Sequence, residues 1–383
     1  MHTESNRQLL AYLRDHQQEM VDQLQQFIAL ESPTNHKPSV DQLGMVLAEQ
    51  LRQLGAAVEI LPQTEVGDVI RARWGQGDDG LLILSHMDTV WDVGTVAGRP
   101  TTVEDGKLYG VGSMDMKGGI VIALWALRAL REHNVFPDQQ ITYLLNSDEE
   151  TGSQVSGGII EEEALKHRAV FVTEPPEHGA YKTARKGVSS YRVTATGRAA
   201  HAGAEHAQGV NAIEELARQI LIIQGMTDYE IGTTANVGVV EGGTRGNVVP
   251  AQASAQVNVR ATTRANAIKI DEQMHALKPH HPEATIEVEG GIGVPPMERT
   301  PEIAALFKQA QSLAREMGIE ITEGSTGGGS DGNRTAALGV PTFDGMGVVG
   351  EGGHSIHEYA VIDSLSERAA IMAAMLRTRG VEA

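Results

Sequence analysis

The sequence predicts an α/β protein: a mostly parallel sheet flanked by helices, interrupted by a smaller inserted α+β domain. Two observations predict it. In the first and last parts of the chain, short and almost continuously apolar runs alternate with helical periodicity, as strands buried on both faces of a parallel sheet do. Between them the rhythm changes to β-α-β-β-α-β, the ferredoxin-like order, and then reverts.

Residues 11–30 and 39–54 carry apolar side chains at helical spacing, the second run stopped by Gly55. Residues 68–74, 81–85, 141–146 and 169–173 are short runs rich in β-formers and read as strands, the last three buried on both faces. Residues 118–131 are apolar nearly all round, which predicts a buried helix. The inserted pattern then follows as strand 188–196, helix 209–223, strands 233–240 and 252–261, helix 265–277 and strand 285–289. After Pro295 the first rhythm resumes with a helix at 301–317, a strand at 339–343 and a last helix at 364–377. The expected division is therefore 1–185 and 295–383 for the larger domain and 186–294 for the insertion.

Composition narrows the function. The 383 residues include 31 basic and 50 acidic side chains, a formal charge of −19, so a nucleic acid or an anionic membrane would be repelled. There is no cysteine, which excludes disulfides, thiolate metal sites and thiol nucleophiles and leaves His, Asp and Glu to hold any metal. The first residues show no basic segment followed by an apolar one, and the longest apolar stretch, 118–130, is too short to span a bilayer. The expectation is a cytoplasmic protein.

Three of the buried strands run into metal-competent side chains: LLILS into His86 and Asp88, ITYLLNS into Asp148, Glu149 and Glu150, and AVFVT into Glu174. In open α/β sheets the site lies beyond the carboxyl ends of the strands, so these groups should meet in one crevice. Asp115 lies in the Gly-flanked loop GVGSMDMKGG, and His354 in GEGGHSIHEY. Taken singly, a His after a strand is an ordinary turn residue and an acidic pair an ordinary solvated face. Three strand ends and two loops together make a nitrogen-and-oxygen donor set that suits a pair of zinc, cobalt or manganese ions. Neighbours at a strand end also point different ways, so one of Glu149 and Glu150 can coordinate while the other reaches a water.

Eight motifs now stand in one order: HMDTV (86–90), DMKGG (115–119), DEETGS (148–153), TEP (173–175), HAG (201–203), NVVP (247–250), TGGGSD (326–331) and HSIHEY (354–359). Over nearly the whole chain the sequence resembles the co-catalytic zinc peptidase family of glutamate carboxypeptidase, acetylornithine deacetylase, succinyl-diaminopimelate desuccinylase and aminoacylase. TGGGSD and the HAG segment look most like its carboxypeptidase G type.

The resemblance implies two Zn2+ ions, with Co2+ or Mn2+ as substitutes. Asp115 would bridge them, with His86 and Glu174 on one ion and Glu150 and His354 on the other. Asp88 would fix the His86 tautomer and Glu149 would be the general base. The family's peptide bond after the bridging Asp is cis, which implies a cis Asp115–Met116 bond. The insertion would be a dimerisation domain, with His201 reaching a partner's site to stabilise the oxyanion. Asn247 and Arg260 would bind the substrate carboxylate, with Thr326, Gly327 and Gly328 lining the same pocket.

Some positions depart from the family. His206 stands where the carboxypeptidase G type usually has proline, and Ala180 falls where that type has a lysine near the substrate. His354 and His357 compete for the second ion, with His354 favoured by its four-residue distance to Glu358. TGGGS is no phosphate loop, since no Lys-Ser/Thr pair closes it. The expectation is a dizinc, homodimeric amidohydrolase that releases a C-terminal amino acid, glutamate first, from an N-acyl or peptide-like small molecule. The alternatives are a deacylase of N-acyl amino acids, a dipeptidase, and a noncatalytic binding relative. The last should have lost a ligand or the base, and none is missing here.

Overall fold

The structure is a computed structural model and describes residues 2–77 and 79–378, so the end of the expected last segment, 379–383, lies outside the described residues. The chain opens with helices α1 (His2–Asp15), α2 (Gln17–Ala29) and α3 (Lys37–Gln53), then strands β1 (Ala57–Leu61), β2 (Val69–Trp74) and β3 (Gly80–His86). Helix α4 (Gly118–Glu132), strand β4 (Ile141–Asn146), helix α5 (Gly157–Ala164) and strand β5 (His167–Val172) follow. Next come β6 (Gly187–Thr196), α6 (Ala212–Gln224), β7 (Thr234–Gly242), β8 (Gln252–Ala261), α7 (Arg264–His275) and β9 (Thr285–Val294). The chain closes with α8 (Pro301–Glu316), α9 (Asp331–Ala337), β10 (Thr342–Phe343) and α10 (Ile362–Arg377).

Contacts divide the described chain into two units. One runs to Thr183 and takes in Arg299–Ser325 and the residues from Ser330 on; the other holds Ala184–Glu298 and Thr326–Gly329. The expected boundaries, 185/186 and 294/295, shift by a few residues, and the Gly-rich segment changes sides. Its carbonyls explain the change: Arg260 donates to Gly327 O at 3.0 Å, Arg185 to Gly328 O at 3.3 Å and Gly329 O at 3.1 Å, and the Lys186 N–H to Thr326 O at 3.0 Å.

In the first unit the sheet order is β1-β2-β4-β3-β5-β10. The pairings β4/β3, β3/β5 and β5/β10 are parallel, and β1/β2 and β2/β4 are antiparallel at one edge. Alternation along β3 shows why the run 81–84 had to be apolar throughout. Leu81 and Ile83 join the core under α1, α2, α4 and α10, while Leu82 and Leu84 join a smaller core with Leu144, Val170, Val172 and Ile160. The run expected as one helix at 11–30 is two, broken at His16 (φ −103°), whose ring nitrogen Nδ1 meets Tyr12 O at 2.8 Å. The apolar stripe continues across that break, which is why periodicity alone does not register it.

The two glycines that open α4 are packing requirements. A Cβ on Gly119 would lie 2.0 Å from Thr173 O, and one on Gly118 2.4 Å from Val348 Cγ1, so only glycine lets this helix start against the end of β5. Gly119→Ala should therefore destabilise the protein by about 1–3 kcal/mol, measured by denaturant unfolding. Unchanged stability would mean that the helix start tolerates displacement.

The second unit is a four-stranded antiparallel sheet in the order β7-β8-β6-β9, with α6 and α7 on one face. Chain order and sheet order together are those of the ferredoxin-like fold. Tyr191, Val193 and Ala195 of β6 alternate inward to meet Leu216, Ile223, Ile270 and Met274 of the helices. No described helix is long and apolar enough to cross a membrane.

Candidate metal centre

Parallel pairing of β4, β3 and β5 sets their carboxyl ends side by side, His86 opposite Asn146 and Leu84 opposite Val172. Everything that leaves those ends therefore enters one region of the first unit. His86 Nε2 lies 3.2 Å from Asp115 Oδ1 and 3.4 Å from Glu174 Oε1. The other oxygen of Asp115, Oδ2, is 3.4 Å from His354 Nε2, which in turn is 3.0 Å from Glu150 Oε2. The two oxygens of Asp115 thus face two different imidazole–carboxylate groups. Glu149 stands on the His86 side, where one ligand atom each of His86, Glu149 and Glu174 lies within 4.8 Å of the others; His86, Asp115 and Glu150 meet the same limit. His354, not His357, is the histidine of its segment brought to this cluster; His357 is exposed. The Asp115–Met116 peptide is cis.

The electrostatics describe a site that demands positive charge. Burial alone would lower the pKa of His86, but hydrogen bonds to Asp115, Asp88 and Glu174 outweigh it and hold the imidazole well above its ordinary value. Asp115 and Glu150 raise His354 to about 11. Burial also acts on Asp115, yet its hydrogen bonds to His354 and His86 keep it well below the usual carboxylate range. Burial, followed by the negative charge of Glu174, pushes Glu149 well above that range. Glu150 Oε1 is buried and has no hydrogen-bond partner among the described residues. An orphaned carboxylate oxygen beside a nitrogen-and-oxygen donor set fits divalent cations, which satisfy such an atom without a proton donor.

Asp88 is fully buried but has more work than orienting His86. His86 Nδ1 is 3.0 Å from the Asp88 carbonyl and 3.4 Å from its carboxylate. That carboxylate accepts the N–H groups of Glu149 and Glu150, each at 3.2 Å, and the Thr34 hydroxyl at 2.7 Å. It therefore fixes the turn that carries both glutamates.

Sequence reasoning gave no role to two further carboxylates. Asp331, the first residue of α9, accepts Ser153 Oγ at 2.5 Å and the Asn146 amide, tying both ends of the Asp148–Glu150 turn; burial raises its pKa to about 6. Glu358 accepts the N–H groups of Gly112 at 2.7 Å, Met114 at 2.8 Å and Asp115 at 3.1 Å. Asp331 closes TGGGSD, and Glu358 stands within HSIHEY four residues after His354; those positions were the only signals available.

His201, Asn247, Arg260, Thr326, Gly327 and Gly328 all lie in the second unit. His201 Nδ1 accepts the N–H groups of Gly203 and Ala204, both at 3.1 Å, so the neutral ring carries its proton on Nε2. A short ladder pairs His201 with Val248, and the Ala202 N–H donates to Asn247 O at 3.0 Å, so His201 and Asn247 are neighbours. Arg260 is half-buried, with Nε on Asn258 Oδ1 at 3.0 Å and Nη1 on the Gly327 carbonyl.

The model of Peptidase family M20/M25/M40 matches residues 82–378. Carboxypeptidase G2 of Pseudomonas sp. (strain RS-16) is 32% identical over 376 residues, covering 96% of this chain and 90% of that protein. Succinyl-diaminopimelate desuccinylase of Dechloromonas aromatica (strain RCB) is 29% identical, covering 85% of this chain and 90% of that protein. Among solved structures, aminopeptidase PepT of Bacillus cereus shares the fold with a TM-score of 0.79 at 23% identity, covering 94% of this chain and 98% of that one.

Proposed function

Since the chain belongs to peptidase family M20/M25/M40 and is a hydrolase of amide or peptide bonds, we propose that it is a two-ion carboxypeptidase that releases an amino acid with a free carboxylate, glutamate first, from an N-acyl or peptide-like substrate. The observation that supports this most is the division of Asp115, whose two oxygens face His86 with Glu174 and His354 with Glu150. In this reading His86, Glu174 and Asp115 hold one ion, and Asp115, Glu150 and His354 the other. Zinc is the proposed ion, with cobalt or manganese able to replace it.

Bound divalent ions supply the positive charge that polarises a carbonyl and makes a water acidic. Glu149, half-buried beside Glu174, takes the proton of the attacking water and returns it to the leaving amine. Asp88 holds Glu149 in place through its backbone N–H. His201 offers its Nε2 proton to the oxyanion, and Arg260 with Asn247 binds the carboxylate of the released residue, against which Thr326, Gly327 and Gly328 pack.

The second unit supports assembly with a second copy of the chain. Its edge strand β7 exposes Val239 and Val240, and α6 exposes Ile222 and, at 75%, Leu221. An unpaired edge beside apolar helix residues is a template for pairing, and a dimer would cover both.

A deacylase of N-acyl amino acids uses the same groups, and Ala180 at the position of the lysine of the carboxypeptidase G type favours it as the second reading. Hydrolysis of a panel of N-acyl amino acids by the zinc-loaded protein separates the two: preference for glutamate supports the first, preference for neutral or basic residues the second. Arg260→Ala should raise KM for free-acid substrates by roughly 10- to 100-fold with little change in kcat. Amidated substrates should be poor for the unaltered protein, and equal turnover of free-acid and amidated forms would rule out both readings.

A further inference from the structure

Glu358 touches none of the candidate ligand side chains; its two oxygens are spent on the backbone that carries one of them. Oε2 accepts the Gly112 N–H at 2.7 Å, and Oε1 accepts the N–H groups of Met114 at 2.8 Å and Asp115 at 3.1 Å. The residue is 2% exposed. The strand segment that follows it is fixed independently, with Tyr359 opposite Tyr109 and the Gly110 N–H donating to Glu358 O at 3.2 Å. The carboxylate therefore crosses from a short sheet into the turn 112–115 and gathers three N–H groups that no strand or helix ladder takes up. A buried carboxylate that only filled space would lose its hydration without return; three charge-assisted bonds supply the return and specify one conformation of the turn.

The same short segment also carries His354, whose Nε2 is 3.4 Å from Asp115 Oδ2. One stretch of chain thus reaches Asp115 twice, through its carboxylate and through its backbone N–H. Resting on the two-ion reading above, we propose that Glu358 is a positioning residue: it orients Asp115 so that its two oxygens face both ion positions before either ion arrives. Asp88 does the corresponding work for Glu149 and Glu150, so each of the two ligand turns is held by a carboxylate that is not itself a proposed ligand.

This separates two ways in which Glu358 can matter. If it acts through Asp115, its loss weakens both ions together. If it only steadies its own segment, its loss weakens the one ion held by His354 and leaves the other.

The test is a calorimetric titration of the metal-free full-length protein with Zn2+, comparing Glu358→Ala and Glu358→Gln with His354→Ala. Glu358→Ala should weaken both binding events by about 10- to 100-fold, the range seen when groups behind metal ligands are removed. Glu358→Gln should fall between, since its amide oxygen accepts from Met114 and Asp115 while its amino group faces the Gly112 N–H. His354→Ala should lose one event only. Affinity equal to that of the unaltered protein would overturn the proposal, and so would a Glu358→Ala titration that matches His354→Ala. Should Glu358→Ala fail to fold, Glu358→Gln carries the same comparison. Glu149→Ala, run alongside, keeps the readings apart: full hydrolysis by that variant would remove the proposed function, while the ion titrations would still decide the role of Glu358.

Discussion

Glu149→Ala is expected to lower kcat by about 10²- to 10⁴-fold while both ions stay bound. Glu149 lies in the His86–Glu174 group, beside the proposed ion positions, where it can take a proton from a water and hold it until the amine departs. The division of labour between adjacent residues is the reason for the asymmetry. Glu150 Oε2 is turned to His354, whereas Glu149 has no role in the proposed ion sites. Turnover of an N-acyl glutamate, with zinc content measured on the same sample, checks both halves. Ion loss in Glu149→Ala would make Glu149 a ligand, and unchanged kcat would remove it from catalysis.

Asp115→Asn is expected to have the larger effect on the ions. Asparagine keeps the shape and one carbonyl oxygen but replaces an anionic oxygen by an amino group, so at most one of the two groups facing Asp115 keeps its acceptor. Both ions should weaken by more than about 100-fold, beyond the effect of removing a group behind a ligand, and hydrolysis should be lost with them. Zinc titration of Asp115→Asn shows it directly. Loss of one ion with retention of the other at its original affinity would mean that Asp115 serves a single position.

The strands were legible because burial on both faces leaves them few polar residues: β3 and β4 are buried at every position and read as nearly continuous apolar runs. Once three such strands are set in parallel, the placement of His86, Glu150 and Glu174 at their ends needs no further information. The groups behind them were not legible. Thr34 is joined to Asp88 across 54 residues, and nothing around it in the chain marks it. Glu358 reaches back 243 residues to the Asp115 N–H, a relation set by the pairing of two three-residue strands too short to show a period.

The Gly-rich segment misled for a different reason. Its glycines announce close backbone contact but not the partner, and only the arginine-to-carbonyl bonds assign 326–329 to the second unit. Helix α9, which follows at once, has no counterpart among the expected elements. Ser330 caps it by accepting the Gly332 N–H at 3.0 Å, and so places Asp331 against Ser153.

The most direct test of the central claim is a zinc titration of chelator-stripped protein in which hydrolysis of an N-acyl glutamate is followed as each equivalent is added. The two-ion reading predicts no turnover in the stripped protein and a rise that levels off at two ions per chain. Turnover in the stripped protein, with chelator still present, that equals that of the loaded protein would contradict it.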